Sequence, residues 1–163
     1  MSDLSFRAAL EPADIALIRQ LTRDCGGFSP AEVDLAAELA QERLARGLAA
    51  SGYHFLFAQW GPGVPALGYA CYGPIPLTRS SWDLYWIAVA KDAQSRGIGR
   101  RLLAEAERRA KAYGASQFYI DTSGRSDYAS ARAFYIAAGY REAAALPDFY
   151  APGDAKVIFE KQL

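Results

Sequence analysis

Hydrophobic and polar positions along this chain switch between two periods, and the switches predict its elements. A short alternating run over residues 4–8 predicts a first strand. Glu11-Pro12-Ala13-Asp14 predicts a helix start, with proline in the first turn and acids where the helix dipole favours them. That helix is expected to reach Asp24 and stop at Gly26-Gly27. Ser29-Pro30-Ala31-Glu32 has the residues of a capping box. Behind it Val33, Ala36, Ala37, Ala40, Leu44 and Leu48 recur at helical spacing, so one face should be buried. Gly47 or the Ser51-Gly52 pair is expected to end this second helix.

Period-two runs then follow closely. Residues 54–60 and 66–72 predict two strands around the turn cluster Gly61-Pro62-Gly63. Pro74 and Pro76 break the chain before Trp82-Asp83-Leu84-Tyr85-Trp86-Ile87-Ala88-Val89, where both alternating sets are largely apolar. A central strand covered on both faces is expected there. Residues 97–113 predict an amphipathic helix with Ile98, Leu102, Ala106, Ala110 and Tyr113 toward the sheet and Gly114 as its stop. A strand over 117–121, a helix over 128–138 closed by Gly139, and strands over 140–144 and 156–160 complete the set. With no repeat, low-complexity tract or linker, the reading is one mixed α/β domain over residues 1–163.

Composition narrows the classes of function. Of 163 residues, 52% are apolar and 22% charged, a balance suited to a packed globule that hides roughly 70% of its unfolded surface without staples. Eighteen basic and 18 acidic residues cancel, so no global field favours nucleic acid or an anionic membrane, and neither partner is expected. No apolar run approaches the ~20 residues that span a bilayer. The start, Met1-Ser2-Asp3-Leu4-Ser5-Phe6-Arg7, lacks the basic opening and apolar core of a signal peptide, so a cytoplasmic protein is expected. Cys25 and Cys71 form no CxxC, and with His54 the single histidine no metal site is expected. His54 lies in a strand-like run and reads as a structural residue, which leaves no histidine for a nucleophile–base pair.

The chemistry-bearing stretch is Gln94-Ser95-Arg96-Gly97-Ile98-Gly99-Arg100-Arg101, between the central strand and an amphipathic helix. Glycines one residue apart permit a tight turn and the close approach of a ligand to the backbone. The first turn of the following helix leaves N–H groups without internal partners at the positive end of its dipole, which suits a phosphate or pyrophosphate. Arg96, Arg100 and Arg101 add charge, and no acid falls between Asp92 and Glu105. A plain strand-to-helix turn also contains Gly-x-Gly, so the motif alone is weak. Neither the P-loop pattern nor the three-glycine dinucleotide pattern is present.

Gln94-Ser95-Arg96-Gly97-Ile98-Gly99 resembles the Gln/Arg-x-x-Gly-x-Gly/Ala signature of the GNAT superfamily of acyl-coenzyme A dependent N-acetyltransferases. Ser130-Ala131-Arg132-Ala133-Phe134-Tyr135-Ile136-Ala137-Ala138-Gly139-Tyr140 resembles its second motif, Ala-x-x-Phe/Leu-Tyr-x-x-x-Gly-Phe/Tyr. The resemblance covers almost the whole chain and implies a mixed, mostly antiparallel sheet with about four helices, splayed between its fourth and fifth strands. It further implies acetyl-CoA as co-substrate. The backbone of Ile87, Ala88 and Val89 would meet the pantetheine amides, and Gln94, Ser95, Arg96, Gly97, Ile98, Gly99 and Arg100 the pyrophosphate. Tyr135 would supply a proton to the leaving thiolate at its ordinary pKa, the alternative being a core aromatic with a satisfied hydroxyl. Tyr128 stands where the family often has an asparagine that meets the cofactor, and Lys91-Asp92 where it often has Asp-Pro.

An attacking amine must lose a proton. Asp83 is the acid nearest the place where many relatives carry a strand glutamate, and strand alternation sets it with Tyr85, Ile87 and Val89. It is the candidate base, or else a solvated carboxylate at a strand end. Asp148, Phe149 and Tyr150 lie in an expected Pro/Gly-rich loop over residues 147–154 and are candidates to hold a cationic acceptor, or else plain loop residues. The acceptor is a small-molecule amine or a protein amine, at an N-terminus or lysine, and a homodimer is open to the chain. Direct attack is expected, because nothing in the sequence sets a base beside Cys71. The rival reading is a coenzyme A binding module or sensor without useful catalysis.

Overall fold

The computed structural model describes residues 3–163; Met1 and Ser2, part of the N-terminal stretch read above, lie outside the described residues. The elements run β1 (Ser5–Arg7), α1 (Asp14–Asp24), α2 (Pro30–Ser51), β2 (His54–Gln59), β3 (Gly68–Pro74), β4 (Ser81–Val89), α3 (Ile98–Ala112), β5 (Gln117–Ser123), α4 (Ala129–Ala137), β6 (Arg141–Ala151) and β7 (Asp154–Gln162). The strands form a seven-stranded mixed sheet in the order β1-β2-β3-β4-β5-β7-β6. β4 runs parallel to β5 from Ser81↔Gln117 to Leu84↔Ile120. The β1–β2, β2–β3, β5–β7 and β6–β7 pairs are antiparallel, in line with the expected mixed α/β class. By packing, the chain forms two compact units: residues up to Gly73 with Trp86–Ala106, and Pro74–Tyr85 with Glu107–Leu163. Among the described residues no helix is long and apolar enough to cross a membrane.

In the first unit, Phe55, Leu56 and Phe57 of β2 and Tyr69, Ala70 and Cys71 of β3 are all buried. Both faces of these strands are therefore covered. The helices over them are fixed by polar contacts that sequence spacing suggested only in part. Arg7 forks onto buried Asp14 at 2.8 and 2.9 Å, and Tyr69 meets Thr22 of α1 at 2.6 Å. The capping box forms as read: Glu32 N–H donates to Ser29 Oγ, and Ser29 N–H to Glu32 Oε2. Both expected stops of α2 are used. Gly47 kinks the helix at φ 80°, and Gly52 caps it in the left-handed region. Val33, Ala36, Ala37 and Ala40 are buried as expected, whereas Leu44, one turn before the kink, is exposed, against expectation. Gly68 is required by packing, since a Cβ there would lie 2.8 Å from the carbonyl oxygen of Ala88.

In the second unit, β5 and β7 carry buried Phe118, Ile120, Val157 and Phe159 on one face, whereas β6 is mostly exposed. The register sets Asp83, Tyr119, Asp121, Lys156, Ile158 and Glu160 together on the other. Three expectations fail. Tyr113 is 64% exposed rather than turned to the sheet, because α3 ends one residue earlier and Tyr113 only edges onto the Trp82 ring. β4 is not covered on both faces: Trp82, Leu84 and Ala88 are buried, whereas Asp83, Tyr85, Ile87 and Val89 are half-buried. Finally, residues 147–154 are not a loop. β6 and β7 run on to a tight turn at Pro152-Gly153, with Ala151 paired to Asp154. The register is interrupted between Leu146 and Ala151, where Pro147 has no N–H to give and Asp148 adopts φ 55°.

Candidate active site

The sequence over residues 89–101 folds into a turn that exposes backbone rather than side chains. β4 ends at Val89, a short 3₁₀ turn covers Lys91–Ala93, and the backbone then turns left-handed at Ser95 (φ 63°) and Gly97 (φ 75°). The first intrahelical bond of α3 runs from Arg101 N–H to the Gly97 carbonyl at 3.1 Å. The N–H groups of Ile98, Gly99 and Arg100 precede that bond and face outward at the positive end of the helix. Ile98 and Ala93 are buried and pin the two ends of the turn, whereas Ser95, Arg96, Arg100 and Arg101 are exposed. The Gln94 side chain, exposed at the surface, folds back and donates to the carbonyls of Val89 at 3.0 Å and Cys25 at 3.1 Å. It therefore shapes the turn; its amide is already committed. A Cβ at Gly97 would touch nothing in the protein, so the residue supplies conformation and clear approach.

Tyr135 lies in the second unit, in the last turn of α4. Its ring is 8% exposed and packs against Phe134, Tyr140 and Phe159 at centroid distances of 5.4, 6.2 and 5.9 Å. Among the described residues no hydrogen bond partner is found for its hydroxyl. Burial pushes the phenol up to about 12, so it stays protonated at any working pH, and it is not at its ordinary value as expected. Tyr128 closes a 3₁₀ turn just before α4, its N–H on the Arg125 carbonyl at 3.1 Å. Arg132 of the same motif ties α4 to the end of β5 through the Ser123 carbonyl at 2.7 Å.

On the polar face of this unit, Asp83 is half-buried and its carboxyl is raised to about 6. Burial is the largest cause and the charge of Asp121 adds to it, while Lys156 opposes both. Lys156 forms an ion pair with Asp121 at 2.8 Å and lies 4.8 Å over the Phe149 ring. Phe149 and Tyr150 are half exposed, and Asp148 accepts from Gly153 N–H at 2.7 Å. Asp148 thus holds the turn. His54 pairs with Tyr72 across β2–β3, stacks on it at 5.5 Å, and is lowered to about 4 by burial. Neutral and strand-bound, it behaves as the structural residue expected. Cys71 is fully buried, and burial pushes its thiol well up, away from the reactive thiolate.

A family model described as the acetyltransferase (GNAT) family matches residues 16–140. The chain belongs to this family. A GNAT-family protein from Desulfovibrio desulfuricans is 42% identical, with 98% of this chain and 99% of that one covered at TM-score 0.93. A ribosomal-protein-S18-alanine N-acetyltransferase from Escherichia coli is 19% identical, covering 98% and 94% at TM-score 0.75. An acetyltransferase structure from Salmonella typhimurium with its cofactor acetyl-CoA is 20% identical, covering 99% and 95% at TM-score 0.72. The latter two show likeness of fold. No curated protein sequence matches.

Within this GNAT acetyltransferase, the glycine turn and Tyr135 were legible as motifs. Asp121 and Lys156 were missed, since strand register alone brings them to the face of Asp83.

Proposed function

We propose that this GNAT protein transfers the acetyl group of acetyl-CoA to a primary amine by direct attack. The observation that carries the reading is the left-handed turn at Gly97 feeding the open N–H groups of α3 immediately after β4. That turn fits a pyrophosphate on its own chemistry: outward N–H groups, no Cβ in the way, three exposed arginines and no acid among them. Bound there, acetyl-CoA supplies an acyl carbon already activated as a thioester. The Ile98, Gly99 and Arg100 N–H groups hold the diphosphate, and the strand backbone at Ile87–Val89 takes the pantetheine arm. Tyr135 Oη offers the departing sulfur a hydrogen bond that strengthens as negative charge develops there. The Asp83 carboxylate accepts the proton that the amine gives up, and a value of about 6 keeps it mostly ionised at neutral pH while leaving it a better base than an ordinary aspartate. The half-exposed aromatic pair Phe149 and Tyr150, whose Phe149 ring already carries Lys156 on one side, would be the aromatic surface that a cationic acceptor meets.

The test is thiol release from acetyl-CoA with a panel of amines: an alanine-started peptide, a lysine peptide, a polyamine and an aromatic monoamine. Turnover with one of them and tight coenzyme A binding are expected. Binding without turnover on any amine would mark a coenzyme A binding module instead.

A further inference from the structure

Three polar groups of the second unit take no part in the chemistry above, yet all converge behind Tyr135. Lys161 of β7 donates to Glu107 of α3 at 2.8 Å and to the carbonyl of Ala138 at 2.9 Å. Tyr140 donates its hydroxyl to the other oxygen of Glu107 at 2.8 Å, and the Lys161 ammonium lies 5.4 Å from the Tyr140 ring. Ala138 is the C-cap of α4. Beyond it Gly139 N–H bonds to the Ile136 carbonyl and Tyr140 N–H to the Tyr135 carbonyl, both at 3.0 Å, with Gly139 at φ 93°. These are the two bonds of a Schellman motif in which Tyr135 and Tyr140 are the paired ends, and their rings make its apolar contact.

α4 has only nine residues, too few to hold its last turn by helix formation alone. We propose that Glu107, Tyr140 and Lys161 form a clamp that positions Tyr135 for transfer, a role that rests on Tyr135 acting on the leaving sulfur. Lys161 grips the C-cap carbonyl, Glu107 fixes both Lys161 and the Tyr140 hydroxyl, and Tyr140 holds the Tyr135 backbone and ring. The three are positioning residues. Their effect on rate follows from geometry, since an error of about 1 Å at a reacting group costs on the order of a hundredfold.

The experiment uses a paired variant, because Lys161→Met alone strands the Glu107 charge. Glu107→Gln with Lys161→Met removes the tether to Ala138 without leaving a lone charge, and the new glutamine still accepts from Tyr140. With acetyl-CoA and the fastest amine of the panel, the pair should lower kcat by about tenfold or more and leave the KM for acetyl-CoA within about threefold. Amide exchange at Tyr140 should quicken, and Lys161→Arg alone should keep most of the turnover. In a Tyr135→Phe background the pair should change kcat by less than about twofold, because the group being positioned is gone. Parental kcat in the paired variant, or an equal loss in both backgrounds, overturns the clamp. Parental turnover by Tyr135→Phe alone overturns the role given to Tyr135 and the clamp with it, and is seen without making the pair.

Discussion

In the segment Gln94–Arg100 the groups open to a ligand are backbone N–H groups, set by two left-handed residues and one glutamine bonded back to the Val89 and Cys25 carbonyls. Around Tyr135 and Asp83 the offered groups are side chains, set by packing against Phe159 and Tyr140 and by strand register beside Asp121. On the proposed reading the first region holds charge with main chain and should tolerate changes of side chain but not of φ. The second would tune single protons and should tolerate no loss of a hydroxyl or carboxyl, while its backbone is ordinary helix and strand. Substitution should therefore separate binding from turnover along this line.

The largest expected effect tests the side-chain region. Tyr135→Phe keeps the buried ring and removes only the hydroxyl. Turnover should fall by about a hundredfold to ten-thousandfold with coenzyme A affinity within a few-fold of the parent, read by thiol release and calorimetry. The gap should narrow above pH ~8.5, where a free thiolate is a stable product. A variant that binds coenzyme A poorly would erase the contrast between the two regions.

Asp83→Asn comes next, with a loss of roughly a hundredfold at neutral pH. Only the ionised carboxyl accepts a proton, so the parental kcat/KM should rise with pH through about 6 and then level. The variant should lack that rise. Because Lys156 lowers the Asp83 value and Asp121 raises it, Lys156→Met should move the inflection up and Asp121→Asn should move it down. A pH profile unmoved by either change would detach Asp83 from the reaction.

How much was legible in the sequence follows the same division. Gly97 and Gly139 mark places where the backbone must turn, and such marks are local, so the turn, its helix and the end of α4 could be read from neighbours in the chain. The capping box at Ser29 and Glu32 was legible for the same reason. Asp121, Lys156, Glu107 and Lys161 were silent because a carboxylate or ammonium gains its meaning from a partner many residues away, as Lys161 does from Glu107. The long β6–β7 hairpin was hidden by Pro147, Pro152 and Gly153, which promise a loop and here give a bulge and a two-residue turn. Half-exposure of β4 was masked by its composition: Tyr85, Ile87 and Val89 look like core, yet line a face left partly open.

A smaller effect tests the backbone region. Gly97→Val places a β-branched residue at φ 75°, a conformation such residues resist, and sets methyl groups where a phosphate must approach N–H groups. Coenzyme A affinity should weaken by at least tenfold, about 1.4 kcal/mol, with kcat at saturation changed far less. Arg96→Ala, which leaves φ alone, should cost less than Gly97→Val in the same titration. Equal losses would mean that side-chain charge, not the main chain, holds the diphosphate.

The smallest expected effect is at Cys71, which lies outside both regions and would be the nucleophile of a covalent route. Its side chain is fully buried in β3 opposite Phe55, and burial pushes the thiol well above its ordinary value. A buried neutral thiol is a poor nucleophile and behaves as a small apolar group. Cys71→Ala leaves a gap about the size of one sulfur, which should lower stability by ~1 kcal/mol. Turnover in the folded variant should stay within about twofold, since a stability change of that size unfolds little of the protein. Rapid mixing of the parent with acetyl-CoA alone should show no burst of thiol. A burst that vanishes in Cys71→Ala, together with lost turnover at unchanged coenzyme A affinity, would place an acyl-cysteine on the path and remove the amine from the first chemical step.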